Sequence, residues 1–378
     1  MADVRFLQIH SLCGYPAALL NRDDSGLAKR ITYGGEVRTR VSSQCLKRHW
    51  RKSDSVHALQ RIDGVSAGVR SREIVTRRVI EPLGDAGHDP DTVEAIETAF
   101  QKAIYGLKGD KRSNRQPLLL GESEIAYLAD EARKIAEAHG GDPKGARAAA
   151  REWAKKSTLN MKAMRDNCSM PGGIAAALFG RMVTSDVQAN IDAAVHVAHA
   201  FTVHAEESES DYFTVVDDLH RIEDDAGADH IGETELTCGL FYGYVVIDRD
   251  TLLRNLGQDA ELAGSVADRM VHLIATVSPG AKLGPTAPYG YASWVLVEAG
   301  DRQPRSLAEA FRKHCRPVTR EAEERLRIHL ERLDKAYETG ESRRLMSLSE
   351  EASMPRADPV SLPGLARWSG EAMRAGSA

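Results

Sequence analysis

The chain has 378 residues, of which 42% are hydrophobic, and a formal net charge of −5 at pH 7, so we expect a globular protein with one large core or two modest ones. No apolar run approaches the roughly 20 residues of a membrane span, and residues 1–10 alternate like a strand rather than a signal peptide. The five cysteines are scattered without a C-x-x-C pair, which favours a reducing cytoplasm and argues against a zinc site. We therefore expect neither a metal nor a cofactor.

Residues 1–60 are predicted to form a strand, a loop, a second strand and a basic helix. The alternation of 36–41 predicts the second strand, and Ser42 or Ser43 offers an N-cap for a helix that begins near Gln44. Leu46 and Trp50 are four residues apart and should share the buried face of that helix. Side-chain donors occupy positions i, i+3, i+4 and i+7 of one stripe, namely Gln44, Lys47, Arg48 and Arg51.

The segment from Lys29 to Lys52 has eight basic residues and one acidic residue, Glu36, which gives a local charge of +7 in an acidic protein. A helix N-terminus beside such residues can hold phosphates, so the segment predicts a polyanion partner. These donors suit phosphates rather than base edges. The alternative is a solvated helix face, although such a face usually mixes both signs of charge.

A long helical insertion follows. Val93, Ile96, Phe100 and Ile104 form one apolar stripe, and a second stripe consists of Ile125, Leu128, Ala132 and Ile135. Asp142 and Pro143 predict the start of a helix that runs through Lys156. Its basic residues Arg147, Arg151, Lys155 and Lys156 have Glu152 as the single acidic residue nearby.

The second half of the chain is predicted to return to strands. Alternation from Val195 to His204 predicts a central strand, and residues 205–235 are rich in acids and poor in apolar residues, so they should project as an arm or hairpin. A returning strand over 240–247, a helix over 259–276 and a strand over 293–297 follow. The remainder is predicted to be helical, starting at Ser306 with a capping box. Without the insertion and the arm, the order is that of an α+β, ferredoxin-like or RNA-recognition-motif-like sheet.

Eight short motifs occur in a fixed order over roughly residues 5–300. They are Leu20-Asn21-Arg22-Asp23-Asp24; Gly34-Gly35 with Arg38 and Arg40; Ser42-Ser43-Gln44 with Leu46-Lys47-Arg48; Leu178-Phe179-Gly180-Arg181-Met182; Ala198-His199-Ala200; Phe213-Thr214 with Val216-Asp217-Asp218-Leu219; Gly239 with Phe241-Tyr242; and Pro279-Gly280-Ala281-Lys282. In these motifs the chain resembles the CasC family, the backbone subunit of the type I-E CRISPR Cascade complex in the RAMP superfamily.

The resemblance implies a hand-shaped, non-catalytic RNA-binding subunit. It divides the chain into a palm (1–60, 174–204 and 236–300), a helical fingers insertion (61–173), a β-hairpin thumb (205–235) and a C-terminal helical segment (301–378). Several copies would line up along a CRISPR guide RNA, and each thumb would press out one base of the guide–target duplex. The implied partners are therefore guide RNA, target DNA, further copies of the chain, other Cascade subunits and a recruited nuclease.

The resemblance also implies roles for particular residues. Guide phosphates would be held by Lys29, Gln44, Lys47, Arg48 and Arg51, with support from Arg22. Independently of the resemblance, the glycine-rich loop from Gly280 to Gly290 is predicted to approach RNA with its backbone, with Lys282 as a candidate contact. Thumb aromatics that wedge against bases would be Tyr212 and Phe213. The residues Arg147, Arg151, Lys155 and Lys156 match only by location, and they would face target DNA.

Two other interpretations compete with guide binding. Asp23 and Asp24 could hold a metal ion in a RAMP endonuclease, although loop caps and arginine partners are the interpretation that we favour. Alternatively, the basic faces could bind acidic proteins in a purely structural assembly. Cleavage of RNA with magnesium would favour the nuclease, and an assembly that survives nuclease treatment would favour the structural role.

Overall fold

The structure, a computed structural model, describes residues 4–156, 172–183, 187–215 and 230–375. The chain divides into two units, each with its own core. The first comprises Met1–Leu59, His196–Arg249 and Ala263–Ala378, and the second comprises Gln60–Val195 and Asp250–Leu262. In the second unit, Ala175 and Ala176 of the helix at 173–179 pack on Leu119.

Both strands and helices contribute to the fold. The strands are β1 (Phe6–Ala18), β2 (Arg30–Tyr33), β3 (Glu36–Val41), β4 (Gly68–Ser71), β5 (Leu118–Gly121), β6 (Val195–Val197), β7 (Ala200–Thr202), β8 (Glu207–Val215), β9 (His230–Asp248), β10 (Ala292–Gly300), β11 (Ser342–Ser347) and β12 (Ala357–Pro359). The helices are α1 (Ser43–Lys52), α2 (Glu81–Asp85), α3 (Pro90–Tyr105), α4 (Glu122–Ala138), α5 (Pro143–Lys155), α6 (Gly173–Phe179), α7 (Arg249–Asn255), α8 (Ala260–Thr276), α9 (Leu283–Thr286), α10 (Thr319–Tyr337) and α11 (Leu362–Ala375). None of the helices in the described ranges is long and apolar enough to cross a membrane.

A large mixed sheet forms the centre of the first unit. Its strands pair in the order β12-β11-β10-β1-β9-β7-β3-β2. Neighbours are antiparallel, except that β11 and β12 are parallel. The central strand β1 places Ile9 opposite Val245 of β9 and Val297 of β10. The predicted α+β class is confirmed, as are the strands at the N-terminus, at 36–41 and at 293–297.

A buried polar cluster links four strands of this sheet. The Nε2 of His10 donates to Glu298 (3.1 Å), and the Nε of Arg343 donates to the other oxygen of Glu298 (2.7 Å). The Tyr242 hydroxyl accepts from the Leu307 amide (3.0 Å), so it donates to His10 Nδ1 (2.8 Å), which fixes the tautomer of a neutral imidazole. Burial lowers the pKa of His10. Burial alone would raise the pKa of Glu298, but the His10 bond and the nearby arginines lower it to about 2.

The second unit is built on the predicted helical insertion. Ile96 and Phe100 of α3 are fully buried, together with Leu128 of α4 and most of Trp153 of α5. The rings of Phe100 and Trp153 stack with centroids 3.9 Å apart. The predicted start of α5 is confirmed, because the Asp142 side chain accepts from the amide of Gly145 and Pro143 is the first helical residue.

Two predicted elements differ from the structure. The strand predicted over 195–204 is interrupted between β6 and β7, where the side chain of Arg40 bonds the ring of His199 (2.9 Å). The C-terminal segment is not wholly helical, because β11 and β12 extend the sheet beyond β10. No helix starts at Ser306: a short 3-10 turn covers Ala308–Phe311, and the next α-helix begins at Thr319.

Candidate nucleic-acid interface

A compact loop between β1 and β2 holds the start of α1. The side chain of Ser42 accepts from the amide of Cys45 (3.3 Å), so Ser42 is the N-cap among the two serines considered from the sequence. Its own amide donates to Asn21 Oδ1 (2.9 Å), and the Asn21 carbonyl accepts from the amide of Lys29 (2.9 Å). Asn21 therefore links the helix N-terminus to the basic segment that follows the loop.

Asp23 has a structural function in the same loop. Its Oδ1 accepts from the amides of Ser25 (2.9 Å) and Leu27 (3.0 Å), which closes a turn. Arg22 and Asp24 are exposed on either side of it. Within the described ranges, no group of three or more histidine, cysteine or acidic side chains could hold a metal ion. These contacts give Asp23 the role of a loop cap, which the sequence favoured over a metal ligand.

The helix α1 presents one polar face and one packed face. Trp50 is buried, and Leu46 packs on the core formed by Tyr15, Val41 and Phe241 with their neighbours. On the polar stripe, the residues singled out from the sequence are the exposed Gln44 and Arg48 and the half-buried Lys47 and Arg51. The first turn contains no acidic residue, so no carboxylate offsets the partial positive charge of the helix N-terminus beside these side chains.

Two arginines of the basic segment do not belong to this surface. Arg38 is fully buried, and its guanidinium donates to the carbonyls of Thr202 (3.0 Å) and Phe311 (3.1 Å). Arg30 forms ion pairs with Glu206 and Glu235 at the base of the β8–β9 hairpin. The exposed surface of this segment therefore carries less positive charge than the count from the sequence indicates. The fold buries Arg38 and pairs Arg30 with two acidic residues that are distant in the sequence.

The glycine-rich loop is bound to both α1 and the hairpin. The His49 ring donates from Nδ1 to the Cys45 carbonyl (2.8 Å) and accepts at Nε2 from the amide of Gly280 (3.3 Å). The Nζ of Lys282 donates to the Thr234 hydroxyl (2.6 Å), at the first part of β9. Lys282 is half-buried, so its ammonium lies where the loop and the hairpin meet. The structure thus brings the predicted residues of α1 and Lys282 into one region of the first unit.

The hairpin places its two aromatics on different faces. β8 pairs with β9 from Glu207 opposite Cys238 to Val215 opposite His230. Tyr212 and Phe213 are consecutive, so they point to opposite sides, with 62% and 41% of their surfaces exposed. The ring of Phe213 covers Gly232, where an added Cβ would lie 2.3 Å from it. Residues 216–229 of the predicted arm, with the motif 216–219, lie outside the described residues.

The second basic block lies on α5 in the second unit. Arg147, Arg151, Lys155 and Lys156 are all exposed. Glu152 lies 4.0 Å from the ammonium of Lys155 and 3.3 Å from that of Lys156. Glu152 therefore offsets part of the positive charge at the end of the helix, whereas no ion pair within the described ranges is shown for the exposed Arg147 and Arg151.

Comparison with known proteins identifies the family. The family described as CT1975-like protein matches residues 7–367. The chain belongs to the CT1975-like protein family. The chain is also similar to a chain of a solved "CRISPR RNA-guided surveillance complex, pre-nicking", with 27% identity, a TM-score of 0.82 and coverage of 97% of this chain and 100% of the other.

A second structural match agrees with the first. A chain of a "CRISPR RNA-guided surveillance complex" is 23% identical, with a TM-score of 0.70 and coverage of 97% of this chain and 99% of that one, which shows a shared fold. None of the curated proteins matches the sequence. The family match and these structures confirm the resemblance to CRISPR backbone subunits that the eight motifs indicated.

Proposed function

We propose that this protein is a non-catalytic CRISPR RNA-binding backbone subunit of a type I-E-like surveillance complex in the cytoplasm. It oligomerises along guide RNA and supports guide-directed recognition of target DNA. The observation that carries the proposal is the 27% identity, over 97% of the chain, to a chain of a CRISPR RNA-guided surveillance complex. Other Cascade subunits and a recruited nuclease would complete the assembly.

The proposed palm is a ferredoxin-like or RNA-recognition-motif-like sheet. The antiparallel order β10-β1-β9-β7 supports it, because this is the strand order of a βαββαβ fold with its first and last strands adjacent. The proposed thumb is the arm at 205–235, and the proposed fingers are the insertion at 61–173. In the described part of the arm, residues 207–214 are all exposed, which suits a projecting element.

Guide phosphates would bind at the polar stripe and first turn of α1. The donors are backbone amides of the first turn and the side chains of Gln44, Lys47, Arg48 and Arg51, which suit phosphate oxygens without reading bases. Lys29 and Arg22 would extend the site on the side of the Asn21 loop. Lys282 would extend it on the side of the hairpin.

The arm and the fingers would act on the guide–target duplex. Tyr212 is the more exposed of the two hairpin aromatics and would wedge against a base, while Phe213 would stiffen the hairpin from the opposite face. The exposed residues Arg147, Arg151, Lys155 and Lys156 would contact target DNA phosphates. Because all these contacts are with backbones or ring faces, the guide rather than the protein would carry sequence specificity.

Salt-dependent RNA binding tests the proposal. Lys47→Ala and Arg51→Ala should each weaken binding and lower the slope of log K against log salt by about 1, because each removes one phosphate contact. Lys335→Ala, at an exposed site on α10, is the matched control and should leave the slope unchanged. Unchanged salt dependence in both α1 variants would refute the assignment.

RNA incubated with the assembled protein and magnesium should stay intact, and cleavage that Asp23→Asn abolishes would refute the non-catalytic role.

A further inference from the structure

Two tyrosines in the glycine-rich loop are exposed without an evident structural reason. Tyr289 and Tyr291 have 75% and 73% of their surfaces exposed, just before β10 begins at Ala292. A folded protein gains free energy by burying rings of this size, so two such rings on one short segment indicate a surface with a partner. Neither residue belongs to the motifs that carry the family resemblance.

The glycine between the two tyrosines is fixed in place. The Gly290 amide donates to the Ser278 hydroxyl (2.9 Å), and that hydroxyl donates to the Gly290 carbonyl (2.9 Å). An added Cβ at Gly290 would lie 2.9 Å from the carbonyl oxygen of Gly14 and 3.2 Å from the ring of Tyr15. Position 290 therefore faces β1 at close range, whereas both of its neighbours are exposed.

The surroundings of the two rings suit a polyanion. The segment 278–292 contains Lys282 and no acidic residue. The same loop is attached to the basic helix α1 by the bond between the amide of Gly280 and the ring of His49. The loop that is attached to α1 thus carries two exposed aromatic rings, and basic residues together with aromatic rings are the combination that binds single-stranded nucleic acid through its phosphates and its base faces.

We propose that Tyr289 and Tyr291 form a stacking platform for bases of the single-stranded RNA whose phosphates α1 holds. This inference rests on the proposed function, and it adds a base-contacting element to a site otherwise made of phosphate donors. Stacking on a tyrosine ring tolerates every base, so the platform strengthens binding without selecting sequence. It would also hold bases in a fixed orientation before a complementary strand arrives.

Fluorescence of an RNA that contains 2-aminopurine tests the platform directly. Stacking on a ring quenches this base analogue, so the wild-type protein should quench it, and the double variant Tyr289→Ala/Tyr291→Ala should not. The double variant should also bind about 5- to 150-fold more weakly, which corresponds to ~1–3 kcal/mol for lost base stacking. The slope of affinity against salt should stay at the wild-type value, because no charge is removed. The matched control, Tyr289→Phe/Tyr291→Phe, keeps both rings and should retain both quenching and affinity.

The outcomes separate this proposal from the proposed function. Wild-type quenching and affinity in the double alanine variant, together with a lowered salt slope in Lys47→Ala, would refute the platform and leave guide binding in place. Failure of the wild-type protein to bind any RNA would refute both. A double alanine variant that binds a short RNA normally but assembles less well on a long one, as measured by sedimentation, would identify the tyrosines as a contact between copies and refute the platform.

Discussion

Asn21 controls the geometry of the candidate site although it carries no charge. Its side chain accepts a hydrogen bond from the amide of the N-cap Ser42, and its backbone carbonyl accepts one from the amide of Lys29. The orientation of the first turn of α1 therefore depends on one amide side chain in the preceding loop. Phosphate binding at a helix N-terminus requires the amides to point at the ligand, so under the proposed function Asn21 would act on RNA by positioning rather than by contact.

We expect Asn21→Ala to loosen the start of α1. Its loss leaves the half-buried Ser42 amide without its acceptor, at a cost of about 1–3 kcal/mol. Amide hydrogen exchange in Ser43–Lys52 should accelerate correspondingly, and RNA affinity should fall without a change in salt slope. Asn21→Asp keeps the acceptor and should leave exchange near the wild-type rate. Equal exchange rates in the alanine variant and the wild-type protein would contradict this role.

Individual residues also show why the sequence alone could not define the basic surface. Arg38 and Arg48 are equally basic in the sequence, but one is fully buried and the other exposed. The acceptors that bury Arg38 are 164 and 273 residues away along the chain. The α1 stripe could be predicted because its spacing is local, whereas the fate of Arg38 depends on contacts that only the folded chain creates.

At the scale of elements, the base of the β8–β9 hairpin depends on one cation. Arg30 of β2 binds Glu206, just before β8, and Glu235 of β9, whose other oxygen accepts from the amide of Ala28 (2.5 Å). Both carboxylates are largely buried, with 16% and 9% of their side-chain surfaces exposed. Without the guanidinium, two negative charges would face each other where the hairpin leaves the sheet.

We therefore expect Arg30→Met to destabilise the hairpin by about 1–3 kcal/mol. This range already allows for the screening of Arg30 by solvent, because its side chain is partly exposed. Hydrogen exchange in Glu207–Val215 should accelerate while exchange in α10 stays unchanged. Adding Glu206→Gln and Glu235→Gln to Arg30→Met should restore much of the protection, because the repulsion disappears with the charges. Slow exchange in the single variant would mean that the hairpin is held by its strand pairing alone.

The buried cluster of β1, β9, β10 and β11 predicts acid lability of the first unit. The folded-state pKa values of His10 and Glu298 both lie below their ordinary values, so the unfolded chain binds more protons and stability rises with pH. As pH falls, the His10 contribution is lost from about 6.5 downward, and the Glu298 contribution is lost between about 4.5 and 2.

Thermal unfolding measured from pH 8 to pH 3 should therefore show a falling Tm. The free energy of unfolding should fall by up to ~1.4 kcal/mol per pH unit for each proton that is taken up on unfolding. His10→Gln should remove the part of the decline that begins near pH 6.5, because glutamine does not titrate. Arg305 and Arg343, which also face Glu298, keep their charge throughout this range. A His10→Gln profile that matches the wild-type profile would assign the decline to other groups.

The elements that the sequence predicted correctly have local signals, and those that it missed do not. The N-cap Asp142 with Pro143 predicted α5 from adjacent residues, and the spacing of Ile96 and Phe100 predicted the buried face of α3. β11 has no comparable signal: its residues Arg343 and Arg344 are charged, and Arg343 is buried only because Glu298 and Asp334 neutralise it. A strand stabilised by such partners is recognisable only after the sheet has formed.

At the scale of the whole molecule, the proposed function predicts assembly that RNA length controls. A backbone subunit should add to RNA in whole copies, so native mass spectra on RNAs of graded length should rise in steps of 41.3 kDa. The protein alone should not form the same series. A single copy on every RNA, whatever its length, would contradict the proposed oligomerisation along the guide.

The continuity of β9 has a consequence for how the hairpin and the sheet can vary. This one strand of 19 residues is the second strand of the hairpin and, further along, a central strand of the sheet. Because faces alternate residue by residue, inserting one residue between Thr234 and Gly239 would exchange the sides of Gly232 and Glu233, the partners of Phe213 and Tyr212, while Tyr242 stayed buried. Only insertions or deletions of an even number of residues in this part of β9 keep the side chains of both the hairpin and the sheet on their present faces.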